Sequence, residues 1–296
     1  ARIGKRAEQI VVEYCDGGEA RVRLLDVSQL CIFGGMTVSS QLVGELMARD
    51  VPICHFTSGG WFHGVTHAVG SRNVALRIAQ FATASRAEAC LELARGMVSR
   101  KIKNQRTLLR RNHESVPDRV MRELEQLAKR ALEAESIESL LGLEGLAAKA
   151  YFGEFSGMIR ADLREGAGFD LNGRNRRPPK DRVNALLSFA YAILSKDWTI
   201  TLFAVGLDPF AGVLHRPRFG RPSLALDLME EFRPLVADSV VIQLINNGEV
   251  NARSFIERDG SFALTTDGRK SFFQAWERRL AQEIQHPIFK YRVDYR

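Results

Sequence analysis

The apolar residues of this chain change period once, near residue 73, and that change limits the fold more than any other feature. Before it, short apolar runs are separated by glycine turns: Gln9–Val12, Ala20–Leu24, Val27–Phe33 and Val51–Phe56 alternate with Asp16-Gly17-Gly18, Gly34-Gly35 and Ser58-Gly59-Gly60. Ala20–Leu24 shows the period of two that belongs to a half-buried strand. A single short helix is predicted over Val38–Ala48, capped by Ser39-Ser40, with Leu42, Val43, Leu46 and Met47 as its apolar stripe. From Asn73 the spacing becomes helical. A long helix is predicted from Val74 to about Arg110, then Asp118–Leu132, a segment through Glu144, Arg182 to about Val205 ended by Gly206, Ser223 to about Asn247, and Gly268–Gln285. Asp259-Gly260 between Phe255-Ile256 and Phe262–Leu264 predicts a hairpin. The fold class is α+β: a small N-terminal β-domain over 1–72, then a larger, essentially all-α domain over 73–296.

A chain of 296 residues can bury a large core, and its formal charge of +7 favours a polyanionic partner. Two basic stretches would serve one: Arg100, Lys101, Lys103, Arg106, Arg110 and Arg111 late in the long helix, and Arg174, Arg176, Arg177 and Lys180 in a proline-broken loop. A solvated helix face is the alternative for the first. Asn184, just beyond the loop, either bonds locally or contacts DNA. No apolar run approaches a membrane span, and the N-terminus is no signal peptide. The chain begins at Ala1, which suits a processed chain or a part of something longer. Cys15, Cys31, Cys54 and Cys90 form no C-x-x-C pair, so reduced thiols and a cytoplasmic location are expected.

Candidate chemistry concentrates in Gly206–Pro234. Asp227 and Glu230 are three apart on a predicted helix and share a face. His215 precedes them in a basic segment with Arg216, Arg218 and Arg221. A histidine with two co-facial carboxylates is half of a site for a hard divalent cation, Mg²⁺ or Mn²⁺, the imidazole favouring Mn²⁺. Glu144, among Gly142, Leu143, Gly145, Ala147 and Ala148, supplies a third carboxylate on a helix that reads as buried, with small neighbours that would admit other elements. The bland alternatives are a loop histidine, a helix-start aspartate, a solvated Glu230-Glu231 face paired with Arg233, and an ion pair from Glu144 to an arginine of another helix.

These residues also carry a resemblance. Leu141–Gly145 with Ala147-Ala148 and Tyr151-Phe152, then Asn184–Ser188 with Tyr191, then Gly206–Pro209, Gly212, His215 and Ser223–Leu228 with Glu230 and Phe232-Arg233-Pro234 resemble, in order, three motifs of the CRISPR adaptation integrase, the universal Cas family one protein. The match runs over roughly residues 70–290. It implies a two-fold homodimer joined largely through the β-domains and a catalytic helical domain. It implies a metal site at Glu144, His215 and Glu230, with Asp227 as a further ligand or a supporting group. The implied activity is joining of a prespacer's 3′-hydroxyl ends to the CRISPR repeat by transesterification, with nuclease activity when water attacks. Arg218 and Arg221 would meet the scissile strand, or else form surface ion pairs. The implied partners are DNA, a small ferredoxin-fold protein, and in some members an iron–sulfur exonuclease that trims the prespacer. Two rival classes remain: a non-enzymatic DNA-binding protein, and an unrelated metal-dependent phosphohydrolase of small substrates.

Overall fold

The computed structural model describes the chain except residues 61, 70–72, 166–167, 172, 176–177, 286–288 and 296, and except the side chain of Glu165. It separates into two compact units, 1–77 with 199–208, and 78–198 with 209–296.

The first unit holds two small sheets. Strands β1 (Arg2–Arg6), β2 (Gln9–Glu13) and β3 (Glu19–Arg23) form an antiparallel meander, and β5 (Thr37–Val38) pairs parallel to the free edge of β1. β1 is not legible as a strand, because Arg2-Ile3-Gly4-Lys5-Arg6 offers one large apolar side chain. Its register, Arg6 opposite Gln9, comes from a two-residue turn in which Ala7 takes φ 49°. β4 (Leu30–Phe33), β6 (Ile53–Phe56) and β7 (Phe62–Thr66) form the second sheet in the order β4-β6-β7. The parallel β4–β6 pair requires a crossover, and α1 (Ser40–Ala48) lies in it. Ser39 caps α1 by accepting from the Leu42 amide at 3.3 Å. Leu42 and Leu46, one turn apart and fully buried, pack with Ile3, Ile10, Leu24, Ile32 and Ile53. Burial of each such side chain stabilises the fold by about 1.5–3 kcal/mol.

The second unit is helical apart from two small β pairs. α2 (Val74–Ala84) and α3 (Ala87–Asn112) replace the single predicted helix. The break lies at Ser85-Arg86, where Ser85 Oγ donates to the Ala82 carbonyl and draws the chain out of helical register. α3 is the centre of the unit: α4 (Asp118–Leu132), α5 (Ile137–Gly153) and α8 (Ser223–Phe232) all pack on it. Its buried stripe is Cys90, Ala94, Met97, Val98, Lys101, Ile102, Gln105 and Leu109, spaced by three and four. The expected basic run is therefore divided. Lys101 is inside, Arg100 pairs with Glu231 at 2.8 Å, Arg106 pairs with Glu125 at 3.0 Å, and Lys103, Arg110 and Arg111 stay exposed.

α6 (Ala161–Glu165) is short, and α7 (Arg182–Val205) ends at Gly206, whose φ of +89° needs glycine. α8 continues through a π-helical turn, Arg233–Asp238, into α9 (Ser239–Asn246). Pro234 has no N–H to give the Glu230 carbonyl four residues back, so the α ladder cannot continue there and the coil widens. The hairpin forms as predicted: β8 (Phe255–Arg258) and β9 (Ser261–Leu264) are joined by Asp259 and Gly260 at φ 50° and 67°. α10 (Thr266–Leu280) stops short of the predicted Gln285, which lies in β10 (Ile284–Gln285), paired with β11 (Arg292–Val293). Trp276, Tyr151, Phe155, Phe169 and Phe272 are the largest fully buried aromatic side chains among the described residues. Among the described residues, no helix is long and apolar enough to cross a membrane.

Candidate active site

The first turns of α8 fix one half of the site. Pro209 accepts from the Leu224 and Ala225 amides at 2.9 and 3.3 Å, which satisfies the start of a helix that has no side-chain cap. Asp227, one turn in and fully buried, then receives four hydrogen bonds. Its Oδ2 accepts from the amides of Val213 at 2.6 Å and Leu214 at 2.9 Å. Its Oδ1 accepts from the His215 amide at 3.0 Å and from His215 Nδ1 at 2.6 Å. A carboxylate can only accept here, so Nδ1 carries a proton and Nε2 is the ring nitrogen that Asp227 leaves unengaged. Gly212 is required by the same turn. A Cβ there would stand 2.5 Å from Ser223 Cβ, 2.8 Å from the His215 carbonyl and 2.9 Å from Asp227 Oδ2. Both Asp227 oxygens are engaged by the protein, and through them Asp227 positions His215.

The other half is ionic. Glu230, 4% exposed, lies one turn beyond Asp227. Its Oε1 is 3.1 Å from Arg233 Nη2, and its Oε2 is 2.5 Å from Lys101 Nζ. Lys101 on α3, also 4% exposed, donates to Glu144 Oε1 on α5 as well. Burial alone would raise the Glu230 pKa. The Arg233 guanidinium, the Lys101 ammonium and its hydrogen bond, and nearby His215 more than offset that and hold it down to about 2. Glu230 Oε2 is buried, yet the ammonium approaches it off the line of a well-aligned hydrogen bond. Glu231 points elsewhere, to Arg100, at 2.8 Å.

Glu144 is a quarter exposed rather than deeply buried, and Cβ atoms on Gly142 and Gly145 would meet open space, so these glycines admit no close neighbour. The alternative of an ion pair from Glu144 to another helix is seen, with a lysine in place of an arginine. Among the described residues, no three His, Cys, Asp or Glu side chains are close enough as placed to hold a metal ion. The arrangement is two carboxylates around an ammonium, with an anchored imidazole near Glu230.

Behind Glu230 a buried network runs away from the site. The Arg233 guanidinium lies 4.6 Å over the Tyr191 ring. Tyr191 and Tyr151 donate to the two oxygens of Asp238, at 2.7 and 2.8 Å. Burial is the chief cause that lifts the Asp238 pKa to about 6, against those hydrogen bonds and Arg233. Arg174 covers Tyr191 at 5.3 Å and donates to Asn184 Oδ1 at 2.5 Å and Ser188 Oγ at 3.3 Å. Asn184 is fully buried. Its Oδ1 also accepts from the Asn175 amide, and its Nδ2 donates to the Gly173 carbonyl and Asp181 Oδ2. Of the two alternatives for Asn184, these are the local bonds, and they shape the loop from within. Lys180 is exposed, and Arg176 and Arg177 lie outside the described residues.

The segment after His215 is a tight turn closed by an Arg218–Arg221 bridge, with Gly220 at φ +71°. Arg221 donates to the Arg216 carbonyl at 2.5 Å and to Ser223 Oγ at 3.3 Å, so it braces the turn. Arg216 pairs with Glu138 at 2.7 Å, while Arg218 and Phe219 are exposed at the tip. Two residues of the cluster, Lys101 and Arg233, were not expected as site groups. The available signal for Lys101 was its place on α3's apolar stripe.

Residues 1–278 match the family described as CRISPR associated protein Cas1. A CRISPR-associated exonuclease Cas4/endonuclease Cas1 fusion of Geobacter sulfurreducens is 47% identical over 302 residues; the match takes in 100% of this chain but 54% of that protein, so the chain spans about half its relative's length. The CRISPR-associated endonuclease Cas1 2 of Rhodospirillum rubrum is 38% identical, over 97% of this chain and 86% of its own. Among solved structures, a CAS1 protein from Thermotoga maritima superposes with a TM-score of 0.80 at 26% identity, covering 94% of this chain and 86% of that one. A Cas6-RT-Cas1–Cas2 complex contains a chain matching with a TM-score of 0.77 at 26% identity, over 95% of this chain and 31% of that one. This agrees with the α+β architecture and with the three ordered motifs, and it removes the reading as an unrelated phosphohydrolase. The chain belongs to the Cas1 family of CRISPR-associated proteins.

Proposed function

We propose that this chain is a metal-dependent DNA integrase and endonuclease of CRISPR adaptation, joining prespacer 3′-hydroxyl ends to the CRISPR repeat by transesterification. The observation that carries the reading is convergence: one oxygen from Glu144 and one from Glu230 meet at a single cationic position, and the imidazole that Asp227 orients acts on Glu230 electrostatically. The residues fit a Mg²⁺ or Mn²⁺ ion by the chemistry of the donor set, two carboxylates and an imidazole nitrogen, and by the buried Oε2 of Glu230, which has no well-aligned hydrogen bond. Glu144, His215 and Glu230 would hold it. When bound, such an ion assists the DNA's own 3′-hydroxyl as nucleophile and stabilises charge on the attacked phosphate.

The chain's own groups supply the rest. Glu230 remains ionised at any working pH, because its neighbours hold its pKa at about 2. Asp227 accepts the Nδ1 proton of His215 and so leaves Nε2 as the ring nitrogen free to meet an ion. Arg218, exposed beside His215, is placed to bind the phosphate backbone, with the loop around Arg174 and Lys180 as a second contact. The N-terminal β region serves dimerisation, and the protein works in the cytoplasm. A small ferredoxin-fold adaptation protein is its partner, in keeping with the solved complex that contains Cas2. Prespacer trimming falls to an iron–sulfur exonuclease, in keeping with the Cas4 fusion of the Geobacter relative.

One observation favours a non-enzymatic DNA-binding reading: a buried lysine with two carboxylates is also what a purely structural ion cluster would look like. Strand transfer separates the two. A labelled duplex with free 3′-hydroxyls is mixed with a repeat-bearing plasmid and the partner protein, with and without Mn²⁺ or Mg²⁺. Metal-dependent joining is expected, abolished by Glu144→Ala, His215→Ala and Glu230→Ala while DNA binding persists. Joining that survives all three substitutions would sink the site; salt-sensitive binding without joining would favour the structural reading.

A further inference from the structure

We propose that Lys101 is a resident counter-cation: its ammonium occupies the divalent ion's place in the metal-free protein and must be displaced when the ion enters, so that Lys101 sets the metal concentration at which the site loads. The proposal rests on the reading of Glu144, His215 and Glu230 as ligands.

Three observations carry it. Lys101 stands on the buried stripe of α3, between Met97 and Gln105, where every other long side chain is apolar or neutral. A buried ammonium there needs a paired anion. Its ammonium meets the two candidate ligands together, Glu144 from α5 and Glu230 from α8, and so joins three helices at one point. Arg233 pairs with Oε1 of Glu230, and Lys101 is the cation at Oε2. Without the ammonium, Glu144 and Glu230 would lose the one cation they share, leaving Arg233 as the paired cation of Glu230. An entering metal ion would compete with the ammonium for that shared position.

The choice of lysine suits displacement. Lysine carries a compact charge on a flexible four-carbon stem and can withdraw without moving its helix, whereas the planar fork of arginine would clamp both carboxylates. Glu144 is a quarter exposed, which leaves the pair open to solvent on that side. A displaced ammonium stays within one side chain's reach of the site.

The test is Mn²⁺ binding by the DNA-free 296-residue chain, read from the electron paramagnetic resonance signal of the free ion, together with the melting temperature with and without Mn²⁺. Lys101→Met is expected to bind Mn²⁺ about 10-fold more tightly than wild type, equivalent to about 1.4 kcal/mol. Its melting temperature should fall without metal and rise more steeply with it. Lys101→Arg is expected to bind no more tightly than wild type. Equal or weaker Mn²⁺ binding by Lys101→Met overturns the proposal, because then the ammonium does not compete with the ion. If Lys101→Met is unfolded without metal, recovery of its folded circular dichroism by Mn²⁺ supports the proposal and failure to recover overturns it; Lys101→Gln then repeats the affinity comparison. Glu144→Gln and Glu230→Gln keep the two failures apart. If both bind Mn²⁺ as wild type does, the ligand reading itself is wrong, whatever Lys101 does.

Discussion

His215 is fixed by hydrogen bonds that run through Asp227 to three backbone amides, whereas Glu144 and Glu230 meet across the ammonium of Lys101, with Arg233 at one further oxygen. The first half is local: Gly212, His215 and Asp227 belong to one turn and the helix it feeds. The second half joins α3, α5 and α8, whose candidate ligands are far apart in sequence. Hydrogen bonds to backbone amides are short and directional, so the imidazole is positioned before anything binds. An ion cluster built on a long side chain tolerates rearrangement, which is what a site that exchanges cations needs. The imidazole is therefore preset, and the carboxylates are held ready by charge.

The largest expected effect comes from breaking the hydrogen-bonded half. Asp227→Asn leaves one acceptor oxygen where the carboxylate serves four donors, and turns an NH₂ group towards amide or imidazole N–H. Each buried donor left unsatisfied costs about 1–3 kcal/mol. If the amide nitrogen faces the ring, His215 must move its proton to Nε2 and loses the lone pair proposed to bind metal. Urea unfolding should show a stability loss of roughly 2 kcal/mol or more. Strand transfer should fall by about 10²-fold or more. Unchanged stability and joining would mean that the Asp227 network does not hold the ring.

The difference between the halves also explains what was legible in the residues. Asp227, Glu230 and His215 could be grouped because helical spacing and a short turn bring them together locally. Glu144 stood out as a carboxylate among glycine, alanine and leucine. Lys101 did not, because a linear run of six basic residues hides which one faces inward; the three- and four-residue spacing from Ala94 to Leu109 does place it inside. The α2–α3 break carries no glycine or proline, so nothing in the periodicity marks it. Asn184 was visible as a polar residue on a packed face, but its burial depends on a loop whose path only tertiary structure defines.

The second prediction sharpens the comparison between the ionic half and the buried network behind it, where two carboxylates, Glu230 and Asp238, shift in opposite directions. Glu230 is held down from an ordinary 4.5 to about 2, so the unfolded chain binds more protons than the folded one between those values. Its contribution to stability therefore grows as pH rises from about 2 to 4.5 and is lost on acidification. Asp238 is lifted from 3.8 to about 6, so the folded chain binds more protons between those values and stability declines as pH rises through that window. Each full shift corresponds to roughly 3 kcal/mol. In metal-free protein, urea unfolding at pH 4, 5 and 6 should show wild type losing stability relative to Asp238→Asn as pH increases. A constant difference between the two across that range would show that Asp238 is already ionised and that its tyrosine donors, not its burial, govern it.

The smallest effect should come from the turn that extends the His215 half into solvent. Arg221 braces that turn from inside through the Arg216 carbonyl and Ser223, while Arg218 is exposed at the tip. Arg218→Ala should therefore leave unfolding free energy within about 0.5 kcal/mol of wild type. It should weaken DNA binding several-fold, uniformly across sequences, and reduce the slope of log affinity against log salt by about one. Arg221→Ala should instead loosen the turn, lowering stability more than the salt slope. Salt titrations of DNA binding by the two variants decide between these roles. If Arg221→Ala lowers the slope as much as Arg218→Ala and leaves stability untouched, both arginines face phosphate and the bracing bonds do not organise the turn. If neither changes the slope, the tip beside His215 is not a DNA surface, and the phosphate contacts must come from the loop around Arg174 and Lys180.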